Sequence, residues 1–320
     1  MPSFSGQVPD IASRLEALGC QLIVRGWLSA NSLVFCGEMD SSATVIDTGY
    51  DSHSAQTLAL LAAALHGRPL GRIINTHLHS DHCGGNAALQ SRWRCDTWVP
   101  AASFDAASTW DAAALSFNAT GQTCKRFQVD HAIMPGDEVA LGGNTWTAVE
   151  APGHDPHALM LFEPRSKTLI SGDALWEQRL AIIFPELIGE EGFAPALALL
   201  EQISRMAPSL VIPGHGDAFT RVAEAIENSR QRIKVFQRAP QKHTDHAIRA
   251  LLMFHMLEFR ERHVADLLAW ISSSTLFCQI AERGITSSSS VESMVLDAIA
   301  SLEKQGRLVS LNGRIMILDQ

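Results

Sequence analysis

The chain is 320 residues long, enough for one large domain or a large domain with a small companion. It is 46% hydrophobic and 18% charged, the composition of an ordinary globular protein. The formal charge of −9 argues against a surface built mainly to grip nucleic acid or an anionic membrane.

Six scattered cysteines without a CxxC pair read as reduced thiols, and a cytoplasmic protein is expected. Residues Met1 to Gly6 lack the basic and apolar regions of a signal peptide. No apolar run reaches transmembrane length, since Ala247 to Ile271 is interrupted by Arg249, Glu258, Arg260, Glu261 and Arg262.

Short apolar runs alternate with turn residues through the first two thirds. Gln21 to Val24, Leu33 to Cys36 and Thr44 to Ile46 read as strands, the last ending in Asp47-Thr48-Gly49. Ser54 to His66 is Ala/Leu-rich and helical, closed by Gly67 and Pro69. Arg72 to Asn75 is a short buried strand. Trp146 to Val149, Leu159 to Phe162 and Thr168 to Ser171 are further strands. Phe193 to Met206 reads as a helix, Leu210 to Ile212 as a strand, and Phe219 to about Gln237 as a helix. Strands and helices mixed this way suggest an α/β sandwich with helices covering sheets.

Composition shifts after Pro240. Residues 228 to 263 hold eight Lys/Arg against three acids. Leu276 to Arg283 looks helical and ends at Gly284. Ser289 with Glu292 suggests a capping box for a helix from about Val291 to Gln305. Gly306 stops that helix, and Arg307 to Leu318 alternates around Asn312-Gly313, a strong hairpin signal. Helix, turn, helix, hairpin is the outline of a winged helix.

The chemistry concentrates in Thr76-His77-Leu78-His79-Ser80-Asp81-His82-Cys83-Gly84-Gly85-Asn86. Imidazoles and carboxylates are the ligands of zinc, iron and related divalent metals. Four such groups in six residues are costly to bury unless something satisfies them. Three more sites follow predicted strands beside Gly or Pro: Pro152-Gly153-His154, Gly172-Asp173 and Pro213-Gly214-His215-Gly216. Singly, His154 and His215 also read as turn histidines, and Asp173 as a helix N-cap. Together, in one strand-end setting, they point to a shared site.

These residues resemble those of the metallo-β-lactamase-fold hydrolase superfamily, over roughly residues 20 to 225. The resemblance implies a four-layer αβ/βα sandwich. It implies a first metal held by His77, His79 and His154, and a second held by Asp81, His82 and His215, with Asp173 bridging. Asp81 and Asp173 would be the catalytic carboxylates, Asp81 orienting a metal-bridging hydroxide that attacks the substrate. Two divalent ions are expected: zinc, with iron or manganese as alternatives. Asp47 has two readings, a partner for a ligand imidazole or a simple turn residue. Cys83 reads as a small buried residue.

Departures from subfamily patterns narrow the field. Asp173 argues against a true β-lactamase, and His79 against the flavodiiron oxygen reductases. The 41 residues between Asp173 and His215 are too few for the β-CASP insertion. Residues 76 to 86 are similar to the glyoxalase II signature. Trp176-Glu177-Gln178-Arg179 does not continue as Cys-Gly-Arg, however, and Tyr50 is the chain's single tyrosine. The C-terminal segment resembles the winged-helix-like domain of the lactamase-β-like branch, which includes single-strand-specific endoribonucleases.

The expected organisation is a catalytic domain over residues 1–235 and a helical and winged-helix-like domain over 236–320, α/β overall. The expected activity is hydrolysis of a carboxylic ester, thioester or lactone. The alternatives are a phosphodiesterase or endoribonuclease acting on single-stranded RNA, and a non-catalytic metal-binding sensor. A small-molecule substrate leads, with no membrane partner. The apolar face of Ala247 to Ile271 suggests a homodimer contact. Trp110 to Phe127 and Trp176 to Phe193 read either as walls of the substrate pocket or as core under loops.

Overall fold

Two sheets face one another across a shared apolar layer, and each is covered by helices on its outer face. The computed structural model describes residues 10–26, 29–36, 42–283 and 290–318. The readings of residues 1–6, Gly284 and Ser289 lie outside the described residues.

The first sheet runs in chain order: β1 (Cys20–Ile23), β2 (Ser32–Phe35), β3 (Ala43–Ile46), β4 (Leu70–Ile74), β5 (Asp96–Pro100) and β6 (His131–Ile133). β1 to β3 pair antiparallel, and β3 to β6 parallel. The second sheet holds β7 (Glu138–Leu141), β8 (Asn144–Glu150), β9 (Leu159–Glu163), β10 (Thr168–Gly172) and β11 (Leu210–Pro213), in the order β11-β10-β9-β8-β7. Only its β10–β11 pair is parallel.

The sequence dictates this layering because successive side chains of a strand point to opposite faces. In β3, Val45 packs with Leu61 and Leu65 of the helix Ser54–Leu65, while Ile46 joins the layer between the sheets. β4 divides Ile73 and Ile74 in the same way. In the second sheet, Leu169 and Val211 pack with Leu199 and Ile203 of the helix Phe193–Met206, whereas Ile170 and Ile212 face inward. Strands covered on both faces read as continuous apolar runs, as these do. Phe35 and Trp146 meet edge to face at 5.7 Å in the central layer. Each such ring contributes on the order of 4–6 kcal/mol of gross burial.

The helix expected from Phe219 begins at Val222, because Phe219 instead bridges to Val211 of β11. It runs to Arg238, and a second helix spans Pro240–Phe259. Helices Val264–Ser273, Thr275–Glu282 and Val291–Lys304 follow, with a three-stranded sheet of β12 (Glu261–His263), β13 (Leu308–Leu311) and β14 (Arg314–Ile317), ordered β12-β14-β13. The cap of Val291–Lys304 is Ser290, reciprocated by Ser293 rather than Glu292. These elements share a core of their own, including Leu251, Leu267, Phe277, Val295 and Leu308, joined by Ile182 and Leu187 from the segment after β10. Ala247, Ile248, Leu251, Leu252, Leu267 and Ile271 are buried in that core. The apolar face that suggested a homodimer contact is thus buried within the chain at these positions.

Candidate metal centre

The candidate ligands follow the carboxyl ends of β4, β8, β10 and β11, which brings them to one edge of the sandwich. β4 leads into the loop of His77 and His79 and the helical turn Ser80–Cys83, which carries Asp81 and His82. β8 leads to His154, β10 to Asp173 and β11 to His215. Rigid strand ends hold such groups in fixed relation.

The ligand atoms form three overlapping groups, of which His77, His82 and Asp173 make the one that joins the other two. Those of His77, His79 and His154 lie within 4.8 Å of one another, as do those of Asp81, His82 and His215. In the first group, His79 Nδ1 is 3.0 Å from His77 Nε2 and 2.9 Å from His154 Nε2. In the second, His215 Nε2 is 3.0 Å from Asp81 Oδ2. Asp173 lies between them, its Oδ1 3.4 Å from His82 Nε2 and its Oδ2 3.5 Å from His154 Nε2 and 3.9 Å from His215 Nε2. One carboxylate therefore faces both groups. No helix starts at Asp173, so its reading as an N-cap does not apply.

Outer contacts fix which nitrogen of each ring faces inward. His154 donates from Nδ1 to the Ile182 carbonyl at 2.6 Å. His82 donates from Nδ1 to Asp47 Oδ2 at 2.8 Å, so Asp47 is the partner of a candidate ligand imidazole. Thr76 donates its hydroxyl to the same Asp47 oxygen at 2.8 Å and its amide to Oδ1 at 2.9 Å. With its proton so used, the Thr76 hydroxyl accepts from His77 Nδ1 at 3.1 Å. Nε2 of His77, His82 and His154 is left pointing into the centre. Asp47 holds φ +56°, a conformation Asp tolerates better than most residues.

These residues fit a cation. A single proton on His79 Nδ1 cannot serve both neighbouring Nε2 lone pairs, whereas a metal ion accepts all three nitrogens. His82 Nε2 is fully buried and faces the carboxylates of Asp173 and Asp81 at 3.4 and 3.8 Å, without a well-formed hydrogen bond to either. The electrostatics agree. Burial, reinforced by the other imidazoles, holds His77 well below its ordinary range and His79 down to about 4, so both favour the neutral ligand form. Burial alone would raise Asp81 and Asp173, but His82 and His215 hold Asp81 down to about 2 and Asp173 well below its usual value. Burial would likewise lower His82, yet the carboxylates of Asp173, Asp47 and Asp81 hold it well above normal. That negative potential invites a metal ion in place of the proton.

Several contributors carry no motif of their own. Asn31 donates from Nδ2 to the carbonyls of Pro213 and Gly216, at 2.9 and 2.7 Å, stapling the His215 turn. Trp176 donates from Nε1 to Asp173 Oδ1 at 3.2 Å. Asp155 stands 3.6 Å from His79 Nε2, and its position directly after His154 is the one hint the sequence offers. Gly214 is required by close approach: a Cβ there would collide with Asp173 Oδ1 and lie 2.9 Å from His82 Cε1. Gly85 packs against the Thr48 carbonyl, and Asn86 exchanges hydrogen bonds with Thr48 and Asn75, both at 2.7 Å. Cys83 is buried with Leu78 and Val99, its sulfur 3.9 Å from that of Cys124.

A cavity of about 640 Å3 opens from this centre, lined there by His79, Asp81, His154 and Asp173. Of the two candidate walls, the segment after Asp173 supplies Trp176, Leu180, Ile182 and Phe184. The stretch Trp110 to Phe127 supplies Thr120 and Gln122, while its Leu115, Phe117 and Phe127 form satellite core.

Residues 25–215 match the family model of the metallo-beta-lactamase superfamily. Hydroxyacylglutathione hydrolase of Hyphomonas neptunium is 29% identical over 107 residues, 33% of this chain and 34% of that protein. Human acyl-coenzyme A thioesterase MBLAC2 is 26% identical over 170 residues, 48% of this chain and 58% of that protein. The chain thus spans between about a third and three fifths of the length of these relatives. A beta-lactamase domain protein from Burkholderia ambifaria superposes with TM-score 0.56 at 22% identity, covering 99% of this chain and 98% of that one. A metallo-beta-lactamase family protein from Thermus thermophilus superposes with TM-score 0.51 at 16% identity, covering 94% and 99%. These two likenesses show the fold.

Proposed function

The chain belongs to the metallo-β-lactamase superfamily of hydrolases, and within it we propose a dinuclear metal-dependent thioester hydrolase. The observation that carries this reading is the placing of the Asp173 carboxylate between two three-residue groups of ligand atoms. His77, His79 and His154 would hold one divalent ion, and Asp81, His82 and His215 the other, with Asp173 touching both. Ions so held would supply hydroxide at neutral pH and would stabilise negative charge on a carbonyl oxygen. Zinc suits the nitrogen-rich first group, and iron or manganese suits the same donors.

The protein's own residues orient and enclose the reaction. Asp81 faces the cavity with its carboxylate kept ionised, placed to ligate and to orient the attacking group. Trp176 fixes the rotation of Asp173, and Asp47 and Ile182 fix His82 and His154. Leu180, Ile182, Phe184, Phe254 and Leu257 give the cavity an apolar wall that suits an acyl thioester and limits water. Thioester chemistry is favoured over simple ester or lactone chemistry because a hydroxyacylglutathione hydrolase and an acyl-coenzyme A thioesterase are among the relatives. Single-stranded RNA is the second substrate class, because Arg232, Arg249 and Arg260 of the basic stretch line the cavity. We place the protein in a reducing compartment such as the cytoplasm, in keeping with six free cysteines.

A substrate panel of S-lactoylglutathione, hexanoyl-coenzyme A, an aryl ester, a cephalosporin, bis(p-nitrophenyl) phosphate and single-stranded RNA tests the reading. Thioester hydrolysis lost in His77→Ala supports it. Activity confined to RNA overturns it.

A further inference from the structure

Part of the cavity lining has a different chemistry from the metal centre. Arg179, Arg232, Arg249 and Arg307 make it up together with His246. Among the cavity's described lining residues the acids are Asp81 and Asp173, both at the metal centre. The arginines come from separate parts of the chain: the segment after β10, the helix Val222–Arg238, the helix Pro240–Phe259 and the approach to β13. Folding brings them to one place in a protein whose net charge is −9.

They are close enough to repel. Burial first, then Arg307 and Arg232, lowers Arg179. Arg249, Arg232 and Arg179 oppose protonation of His246, which burial already disfavours. Each of these arginines is also engaged within the chain: Arg179 and Arg307 have partners of their own, Arg232 donates to the Gln178 carbonyl at 3.0 Å, and Arg249 lies near Asp245. A cavity wall held this positive attracts an anion, and guanidinium forks match phosphate oxygens in pairs. The same cavity is lined by Leu180, Ile182, Phe184, Met253, Phe254 and Leu257, suited to an uncharged linker. A ligand filling the cavity would put a carbonyl at the metal centre and an anionic group among the arginines.

We propose that Arg179, Arg232, Arg249 and Arg307 form a phosphate-binding subsite, and that the substrate is a thioester of a phosphorylated small-molecule thiol. This rests on the thioester reading above. Glutathione fits less well, since its ammonium group would face four guanidinium groups. A phosphate-bearing carrier offers only negative charge there.

The test compares hexanoyl-coenzyme A with S-hexanoyl-N-acetylcysteamine, which presents the same acyl group and thioester without phosphates. The metal-loaded full-length protein is expected to prefer the phosphorylated thioester in kcat/KM by about tenfold or more, the scale of one charge-assisted hydrogen bond. Arg179→Gln, and Arg179→Gln combined with Arg249→Gln, should collapse that preference mainly through KM. A binding measurement stands apart from turnover. Adenosine 3′,5′-bisphosphate should bind the parent by calorimetry, weaken with added salt, and bind the double variant at least about tenfold less tightly. Equal kcat/KM for the two thioesters, with no calorimetric binding, overturns the subsite. Displacement of bound bisphosphate by glutathione at equal concentration, or binding of single-stranded RNA without binding of the bisphosphate, overturns the assignment too. If neither thioester is cleaved while the bisphosphate binds through the arginines, the thioester reading fails and the phosphate subsite stands.

Discussion

His82 donates from Nδ1 to Asp47 Oδ2 at 2.8 Å, across a gap of 35 residues in the chain. The same carboxylate accepts the amide and hydroxyl of Thr76, so one buried Asp at the end of β3 sets both the ring of His82 and the start of the His-rich loop. Its left-handed backbone is a local cost that these three bonds offset. Asp47→Ala should weaken metal binding at the second group about 10–100-fold, the usual scale for losing a partner that orients a ligand. Titration against a chromogenic chelator reads this directly, and activity should recover at high metal concentration. Unchanged affinity would show that His82 needs no such support.

Asp173 faces both groups, so its loss differs in kind from that of Asp47. Asp173→Asn keeps the shape and removes the charge. Thioester hydrolysis should fall by more than about 100-fold, and raising the metal concentration should not restore it. Metal content should drop below that of the parent. Full activity with undiminished metal content would remove Asp173 from the site.

Asn31 tests how the fold holds His215. Its side-chain amide serves two carbonyls of the His215 turn and accepts the Arg25 amide at 3.2 Å. Asn31→Ala leaves buried carbonyls unsatisfied and should cost about 1–3 kcal/mol of stability. Urea denaturation with and without bound metal checks this. The loss should be larger with metal present, because the displaced turn carries a ligand.

His255 is a buried group outside the metal centre whose protonation should govern acid stability. Its ring stacks on Trp270 at 3.8 Å and 20°. Burial, and then Arg262, pushes its pKa down to about 3. The unfolded chain protonates near 6.5, while the folded protein stays neutral until about 3. The unfolded state thus binds more protons in between, and stability falls as pH drops from 6.5 toward 3. The slope is about 1.4 kcal/mol per pH unit for this one group. Nothing from His255 changes above pH 7. His255→Phe keeps a stacked ring and cannot titrate. Between pH 7 and pH 5 the parent should lose about 2 kcal/mol more than the variant. Equal losses would show that the ring is protonated in the folded state.

The two-faced apolar runs made the central strands legible, because Val45-Ile46, Ile73-Ile74 and Leu169-Ile170 each feed two layers at once. The ligand stations were legible because they follow those strands directly. The edges were not. β5 and β6 carry polar or mixed residues such as Asp96, Trp98 and His131, so no run or alternation marks them, and β7 alternates over only Glu138–Leu141. The helices Asn86–Trp93 and Ala101–Thr109 bury only Asn86 with Leu89 and Ser103 with Ala107, and neither N-terminus has a side-chain cap. Asn31 and Trp176 act through bonds to chain segments far away or reversed by a turn, which no local pattern encodes. Arg179, Arg232, Arg249 and Arg307 come together only through folding, and in the sequence their helical members read equally well as a solvated face.

Metal content measured on the same sample as thioester hydrolysis bears most directly on the dinuclear centre. Protein purified without chelators, or reconstituted with Zn²⁺ or Mn²⁺, should hold about two ions per chain by elemental mass spectrometry. Activity should rise with occupancy and vanish on chelation. Fewer than about one ion per chain after reconstitution, or hydrolysis that survives complete chelation, would contradict a two-metal hydrolase.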